Sequence, residues 1–171
     1  MACVLPSSGL GFSPEGKMQN PIRSLVYVSR SMQRMSLDEL SKLLKQARAS
    51  NQATGISGVL FHHDGLFLQL MEGEPEAVAS LFKKIMMDRR HEAVLILVDS
   101  LRDRTPMFPD WKMGFYHFSS IEHFVGPGLI ENTTHDMDKA TRLVDPDDPA
   151  TLLMATVWKA NRQHFDRTIR S

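Results

Sequence analysis

Five short apolar runs alternate with two amphipathic, capped helical stretches in the order β-α-β-β-α-β-β. This order predicts an α+β fold, a ferredoxin-like βαββαββ sandwich, with a further amphipathic stretch forming a C-terminal helical extension. A second observation places the centre of the sheet. The run Leu66-Phe67-Leu68-Gln69-Leu70-Met71 is apolar on both alternating faces, as expected of a strand with neighbours on each side. In this topology the first and third strands are expected as parallel neighbours at the sheet centre, with both helices on one face.

Residues 1–21 contain three prolines and three glycines without apolar periodicity and are expected to form a flexible leader, with Met18 as an alternative start. Ile22 to Ser29 is rich in β-branched and aromatic residues and predicts the first strand, with Tyr27 on the face of Leu25 and Ser29. Ser36-Leu37-Asp38-Glu39 has the form of a capping box. The helix that follows carries the stripe Leu37, Leu40, Leu44, Ala47, and Asn51 falls at the next position of that stripe. Two readings of Asn51 are open: a helix cap, or a buried amide that needs a partner.

Thr54-Gly55 breaks the helix, and Ile56 to Phe61 predicts the second strand. His62-His63-Asp64-Gly65 carries the Asp-Gly pair favoured in tight hairpins. Two adjacent histidines without a third ligand do not make a metal site, and none is expected. The strand bearing Gln69 stops at Gly73. Pro75 opens a second helix with the stripe Val78, Leu81, Ile85, continuing onto Asp88, and Arg89, Arg90 and His91 are expected to close it. If the two helices run parallel, Asn51 and Asp88 lie near the same end of their layer. Ala93 to Val98 predicts a fourth strand, and a polar loop from Asp99 to Asp110 leads to a fifth. There Trp111, Met113 and Phe115 share a face by alternation. The last helix is expected from Ala150 to about Arg167 behind Asp148-Pro149, with an apolar band of Leu153, Met154, Val157, Trp158 and Phe165.

The division is therefore a leader at 1–21, a compact domain at 22–118 and an extension at 119–171. Twenty basic and twenty acidic residues cancel, which argues against a nucleic-acid groove or an anionic membrane surface as partner. One cysteine, Cys3, excludes an internal disulfide framework and fits a reducing, cytoplasmic setting. No apolar run approaches the ~18 residues of a membrane span.

The amide of Gln69 carries two donors and an acceptor, and leaving them unpaired in a dry interior costs about 1–3 kcal/mol. Its partner is a backbone group, a neighbouring side chain or a bound ligand. Tyr27 on an adjacent strand, Asn51 and Asp88 are polar groups on otherwise apolar surfaces that would converge between sheet and helices. No nucleophile with a base, paired carboxylates or phosphate-binding glycine loop appears, so an enzyme is not expected.

The stretches LVYVSRS, NQATGISGVLFHHDGLFLQLMEGE, DRRH and DWKM resemble the BLUF family of blue-light sensors that use FAD. The resemblance covers about residues 22–118. It implies a non-covalent FAD whose ring lies between the two helices. It further implies that Tyr27 is the electron and proton donor and that Gln69 bridges it to the flavin N5 and O4. By the same resemblance Asn51 holds the flavin's carbonyl edge, while Asp88, Arg90 and His91 form the cofactor's mouth. Lys84 is a further candidate on the ribityl-phosphate side, and Trp111 and Met113 are the last-strand pair beside the glutamine. Ser50 departs from the pattern, standing where many relatives carry histidine or asparagine. Output is then expected through a protein partner, with homo-oligomerisation. Two other readings are a ferredoxin-like small-molecule-binding regulatory module without photochemistry, and an acylphosphatase-type enzyme. The second lacks a glycine-rich loop around Arg23 or Arg30. Flavin absorption by the purified protein separates the first from a photosensor.

Overall fold

The computed structural model describes residues 21–32, 35–110, 112–118, 137–138 and 141–169. The leader expected at 1–21 lies, apart from Pro21, outside these residues, as does Trp111. Five strands, β1 (Ile22–Ser31), β2 (Ser57–His63), β3 (Leu66–Gly73), β4 (His91–Arg102) and β5 (Gly114–Phe118), form one sheet in the order β4-β1-β3-β2-β5. Helices α1 (Leu37–Thr54) and α2 (Pro75–Met86) follow β1 and β3, and α3 (Pro149–Ile169) follows a 3-10 turn at Thr141–Leu143. The α+β, ferredoxin-like arrangement is the one the element order predicts.

The strand sense differs from expectation. β1 and β3 are neighbours but run antiparallel, with Tyr27 opposite Gln69, Leu25 opposite Met71 and Ser29 opposite Phe67. The reason is connectivity. The α1 crossover returns the chain so that β2 runs with β1, and the tight hairpin then reverses it into β3, which slots between them. Asp64 and Gly65 make that hairpin with φ of 46° and 80°, and His62 and His63 belong to β2 rather than to the turn. Each helix runs back across the strand before it, so α1 and α2 also run in opposite senses. The end of α1 leads to Ser57, registered with Glu72 and Ser24, whereas Asp88 leads to His91, registered with Ser31 at the far end of β1. Asn51 and Asp88 thus approach the interlayer space from opposite ends, not from one.

Local signals explain most element boundaries. Ser36 caps α1 with the reciprocal Glu39 bond, and Gly55, in the left-handed region at φ 69°, ends it. Asn51 is accordingly inside the helix and not its cap. Glu74 caps α2 ahead of Pro75. That helix stops at Met86, short of the expected Arg89-Arg90-His91. Beyond it the Asp88 side chain accepts the Arg90 backbone N–H at 2.9 Å, a turn that competes with further helix, and His91 already begins β4. β4 extends past Val98 to Arg102 because residues 99–102 pair with the start of β1, where Arg23 grips Asp99 through two bonds of 2.8 and 2.7 Å. Two register shifts interrupt the β1–β4 ladder, and Ala93 sits at φ 49°. β5 is shorter than the expected 111–118 and joins β2 in parallel.

The sheet separates three apolar clusters. On the Tyr27 face, Leu25, Met71, Val78 and Phe82 pack under α2, while Leu40, Leu44, Leu60, Phe67 and Phe115 pack under α1. On the other face, Val26, Val59, Phe61, Leu70 and Tyr116 meet Met154, Ala155 and Trp158 of α3, with Leu153 and Val157 at the margin. α3 therefore covers the face the first two helices leave open. The side chain of Phe165 is outside the described residues.

Candidate functional site

A cavity of about 200 Å³ opens between α1, α2 and the sheet. Its walls are apolar: Leu43 and Ala47 from α1, Leu81 and Ile85 from α2, and Leu60 and Phe67 from the sheet. The expected site residues Tyr27, Asn51, Gln69 and Met113 line it, and so do Lys84, Asp88, Arg90 and His91.

Tyr27 and Gln69 meet because an antiparallel register puts directly opposed residues on one face. The Tyr27 hydroxyl donates to Gln69 Oε1 at 2.6 Å, with both side chains buried. Gln69 Nε2 reaches Met113 Sδ at 3.6 Å. A thioether is a weak acceptor, so the amide keeps donor capacity toward the cavity it lines. Burial pushes the Tyr27 phenol well above its ordinary pKa, and the negative charge of Asp88 adds to this. Tyr27 is therefore a neutral proton donor, its ring tilted against Phe82 at 5.5 Å.

Asn51 is 1 % exposed, and its Nδ2 donates to the Lys112 carbonyl at 2.6 Å. Arg48 Nε holds the Met113 carbonyl at 3.1 Å. These two bonds pin the segment before β5 against α1, which sets where the Met113 sulfur stands.

The other end of the cavity is charged. Arg90 Nη2 and Asp88 Oδ2 are 2.5 Å apart, and hydrogen bonding from Arg90 holds the Asp88 carboxyl below its ordinary range. Asp88 is only partly shielded from water, so this pair contributes little stability. His91 Nδ1 lies 2.9 Å from Ser29 Oγ. Burial lowers the His91 pKa, Asp88 opposes that shift and Arg90 reinforces it. Lys84 is exposed at the rim.

Some of this was not visible in the motifs. Gln46 lines the cavity, and it could have been found as the i+3 partner of Leu43 on the same helical face. The Ser29 contact with His91 follows from β1–β4 pairing, for which the sequence carries no local mark. Ser50 is not among the lining residues; its carbonyl accepts the Thr54 hydroxyl at 3.0 Å. Among the described residues no cluster of three or more metal-ligating side chains occurs. None of their helices is long and apolar enough to cross a membrane.

The family profile described as "BLUF: Sensors of blue-light using FAD" matches residues 22–114, more than half of the chain. This chain belongs to the BLUF family. FAD is the cofactor by which that family is defined, and a BLUF domain is a blue-light photosensor, not itself a catalyst. The BLUF match spans β1 to the first residue of β5 and thus includes the whole cavity. Among relatives, the photoactivated adenylate cyclase subunit alpha-like protein FB of Euglena gracilis is 39% identical over 72 residues, covering 42% of this chain and 7% of that one. The photoactivated adenylate cyclase subunit beta of the same organism is 37% identical over 73 residues, covering 43% and 8%. The chain thus spans under a tenth of the length of these curated relatives. Among solved structures, a bacterial light-regulated adenylyl cyclase superposes with TM-score 0.57 at 29% identity, over 82% of this chain and 35% of that chain. The dark-state structure of BlrB, a BLUF protein, superposes with TM-score 0.56 at 25% identity, over 88% and 96%.

The cavity suits the family's cofactor. Its apolar walls are compatible with a fused ring, the buried Asn51 and Gln69 amides offer hydrogen-bonding groups to a ring edge, and Lys84 is an exposed cation at the rim.

Proposed function

We propose that this chain is a blue-light receptor that binds FAD non-covalently in the cavity between α1 and α2. It signals by rearranging the Tyr27–Gln69 hydrogen bond. The observation that carries this reading is the 2.6 Å bond from a buried, neutral phenol to a buried amide whose other end has, among the described residues, only a thioether as partner. When bound, the flavin supplies blue absorption and, once excited, a strong oxidant.

Tyr27 would be the donor of an electron to the excited flavin and of its hydroxyl proton along the hydrogen bond to Gln69, because burial makes a charged residue at this position costly. When electron and proton return to Tyr27, the Gln69 amide can settle in a rotated orientation or as its imidic tautomer. Either outcome exchanges donor for acceptor at the ring edge. Met113 is the first neighbour to register the change, through its sulfur. Asn51 would hold the ring's carbonyl edge, and Asp88, Arg90, His91 and Lys84 would serve the ribityl-phosphate end. Trp111, the other member of the last-strand pair, is assigned a tuning role on sequence resemblance.

The signal passes to a protein partner, with a homo-oligomer as the working form, in a reducing cytoplasm consistent with the single cysteine. Purified protein provides the test. It should be yellow, show a small red shift of the flavin bands in blue light and recover in the dark. Colourless protein that takes up no added FAD would instead favour a ferredoxin-like binding module without photochemistry.

A further inference from the structure

On the sheet face opposite the cavity lies a buried charge cluster that the photochemistry does not use. Glu72 is three residues from Gln69 on β3 and so points the other way, toward α3. It is fully buried, opposite Ser24. Glu72 Oε1 accepts from Arg104 Nη2 at 2.5 Å, and Oε2 accepts the Met107 backbone N–H at 2.7 Å. The same Arg104 nitrogen lies 2.5 Å from Asp148 Oδ2 and 2.8 Å from Ser24 Oγ. Asp148 is also fully buried and caps α3: Oδ1 accepts the Ala150 N–H at 3.3 Å and the Ser100 hydroxyl at 3.1 Å. Two buried carboxylates, one on β3 and one at the start of α3, thus share one guanidinium.

Arg104 belongs to the segment 103–113 that joins β4 to β5, strands on opposite edges of the sheet. This segment touches both sides of the fold. One end places Arg104 and the Met107 N–H in the charge cluster, and Met107 and Phe108 pack in the α3 core. The other end gives its Lys112 carbonyl to Asn51 and its Met113 sulfur to Gln69. A shift of Met113 therefore pulls on the segment that carries the counter-charge for α3's cap. Few positions satisfy a guanidinium between two fixed carboxylates, so the arrangement is made or broken rather than graded.

We propose that Arg104 is a positioning residue that makes the seating of α3 depend on the state of Gln69. Light weakens the Arg104–Asp148 bond and loosens the first turns of α3. The proposal rests on the blue-light reading above.

The test is hydrogen exchange of backbone amides 150–161 in the full chain with FAD, dark and illuminated, with flavin absorbance recorded on the same sample. In the unmodified protein, illumination should speed exchange in this window by on the order of tenfold. Asp148→Asn removes the charge but keeps an acceptor for Ser100 and Ala150. It should exchange quickly already in the dark, show no further change in light and retain the spectral red shift. Arg104→Gln should behave alike, but it leaves Glu72 buried without a counter-charge and puts folding at risk, so Asp148→Asn is the deciding variant. A normal red shift with unchanged exchange at 150–161 overturns the proposal and leaves the photoreceptor reading standing. So does Asp148→Asn that keeps the full dark–light difference, since Arg104 would then be a static clamp. Absence of the red shift in unmodified, flavin-loaded protein overturns the photoreceptor reading itself, and this proposal with it.

Discussion

The hydroxyl of Tyr27 and the amide oxygen of Gln69 are 2.6 Å apart because their residues are directly opposed on two antiparallel central strands. The contact is therefore fixed by backbone pairing and not by loop placement. Tyr27→Phe removes one hydroxyl and Gln69→Leu one amide, while the apolar walls stay. Both variants should keep bound flavin and lose the light-induced red shift. Difference absorbance spectra under blue light check this, and normal cycling by either variant would contradict the assigned roles.

Asn51 has a second duty, since its side chain holds the Lys112 carbonyl at 2.6 Å. Asn51→Ala should weaken flavin retention and also destabilise the chain by about 0.5–1.5 kcal/mol, the net worth of a hydrogen bond to a part-buried carbonyl. Gel filtration of the loaded protein and urea unfolding of the flavin-free protein measure the two effects separately.

Gly58 lies against β3, opposite Met71, one pair from Leu70. A Cβ at this position would stand 2.0 Å from the Leu70 carbonyl oxygen, with φ at 154°. Backbone cannot yield as a side-chain tip can. Gly58→Ala should therefore cost at least about 3 kcal/mol and disturb the strand carrying Gln69. A soluble variant with unchanged denaturation midpoint would refute the close approach.

Trp158 is the largest side chain that α3 buries; its ring lies 5.1 Å from Tyr116, and its Nε1 donates to Asp138 at 3.0 Å. Trp158→Ala should cost about 3–5 kcal/mol. In a chain of this size that lowers Tm by on the order of 10 °C. Flavin binding, on the other face, should survive at temperatures below the transition, as read by absorbance after dialysis.

Burial holds the pKa of His91 below the ordinary 6.5, although Asp88 opposes this. The unfolded chain then binds a proton more readily than the folded one. His91 thus contributes stability that is fully present above about pH 6.5 and is lost as pH falls through the lower folded value. Glu72, which burial pushes up, acts with the opposite sign from the carboxylate range upward. Comparing the chain with His91→Gln isolates the histidine. The variant should lose less Tm than the unmodified chain between about pH 7.5 and about pH 5.5.

Much of the site was legible because its residues break a pattern. Gln69 interrupts a two-faced apolar run, and Asn51 occupies a helical stripe position that wants a buried side chain. The Ser36–Glu39 box and the Asp64-Gly65 turn are short-range signals, read within four residues. Strand sense was not legible in the same way, since an alternating pattern reads identically in both directions and the hairpin had to be followed through the crossover. The end of α2 was obscured because apolar periodicity continues to Asp88, while the competing Asp88–Arg90 turn depends on side-chain geometry. The Arg104 cluster leaves no pattern at all. Its partners Ser24, Glu72 and Asp148 lie 80, 32 and 44 residues away, and a lone arginine in a polar loop reads as solvated.

The order in which these parts appear in the chain has a consequence for how the protein is made. Tyr27, Asn51 and Gln69 leave the ribosome before Lys112 and Met113, which hold the two amides and are roughly forty residues behind Gln69. At about 5–20 residues per second, the cavity's inner end stays unfinished for some seconds after the glutamine has emerged. Cofactor capture therefore waits for the synthesis of β5, and a nascent chain stalled before β5 should not retain flavin.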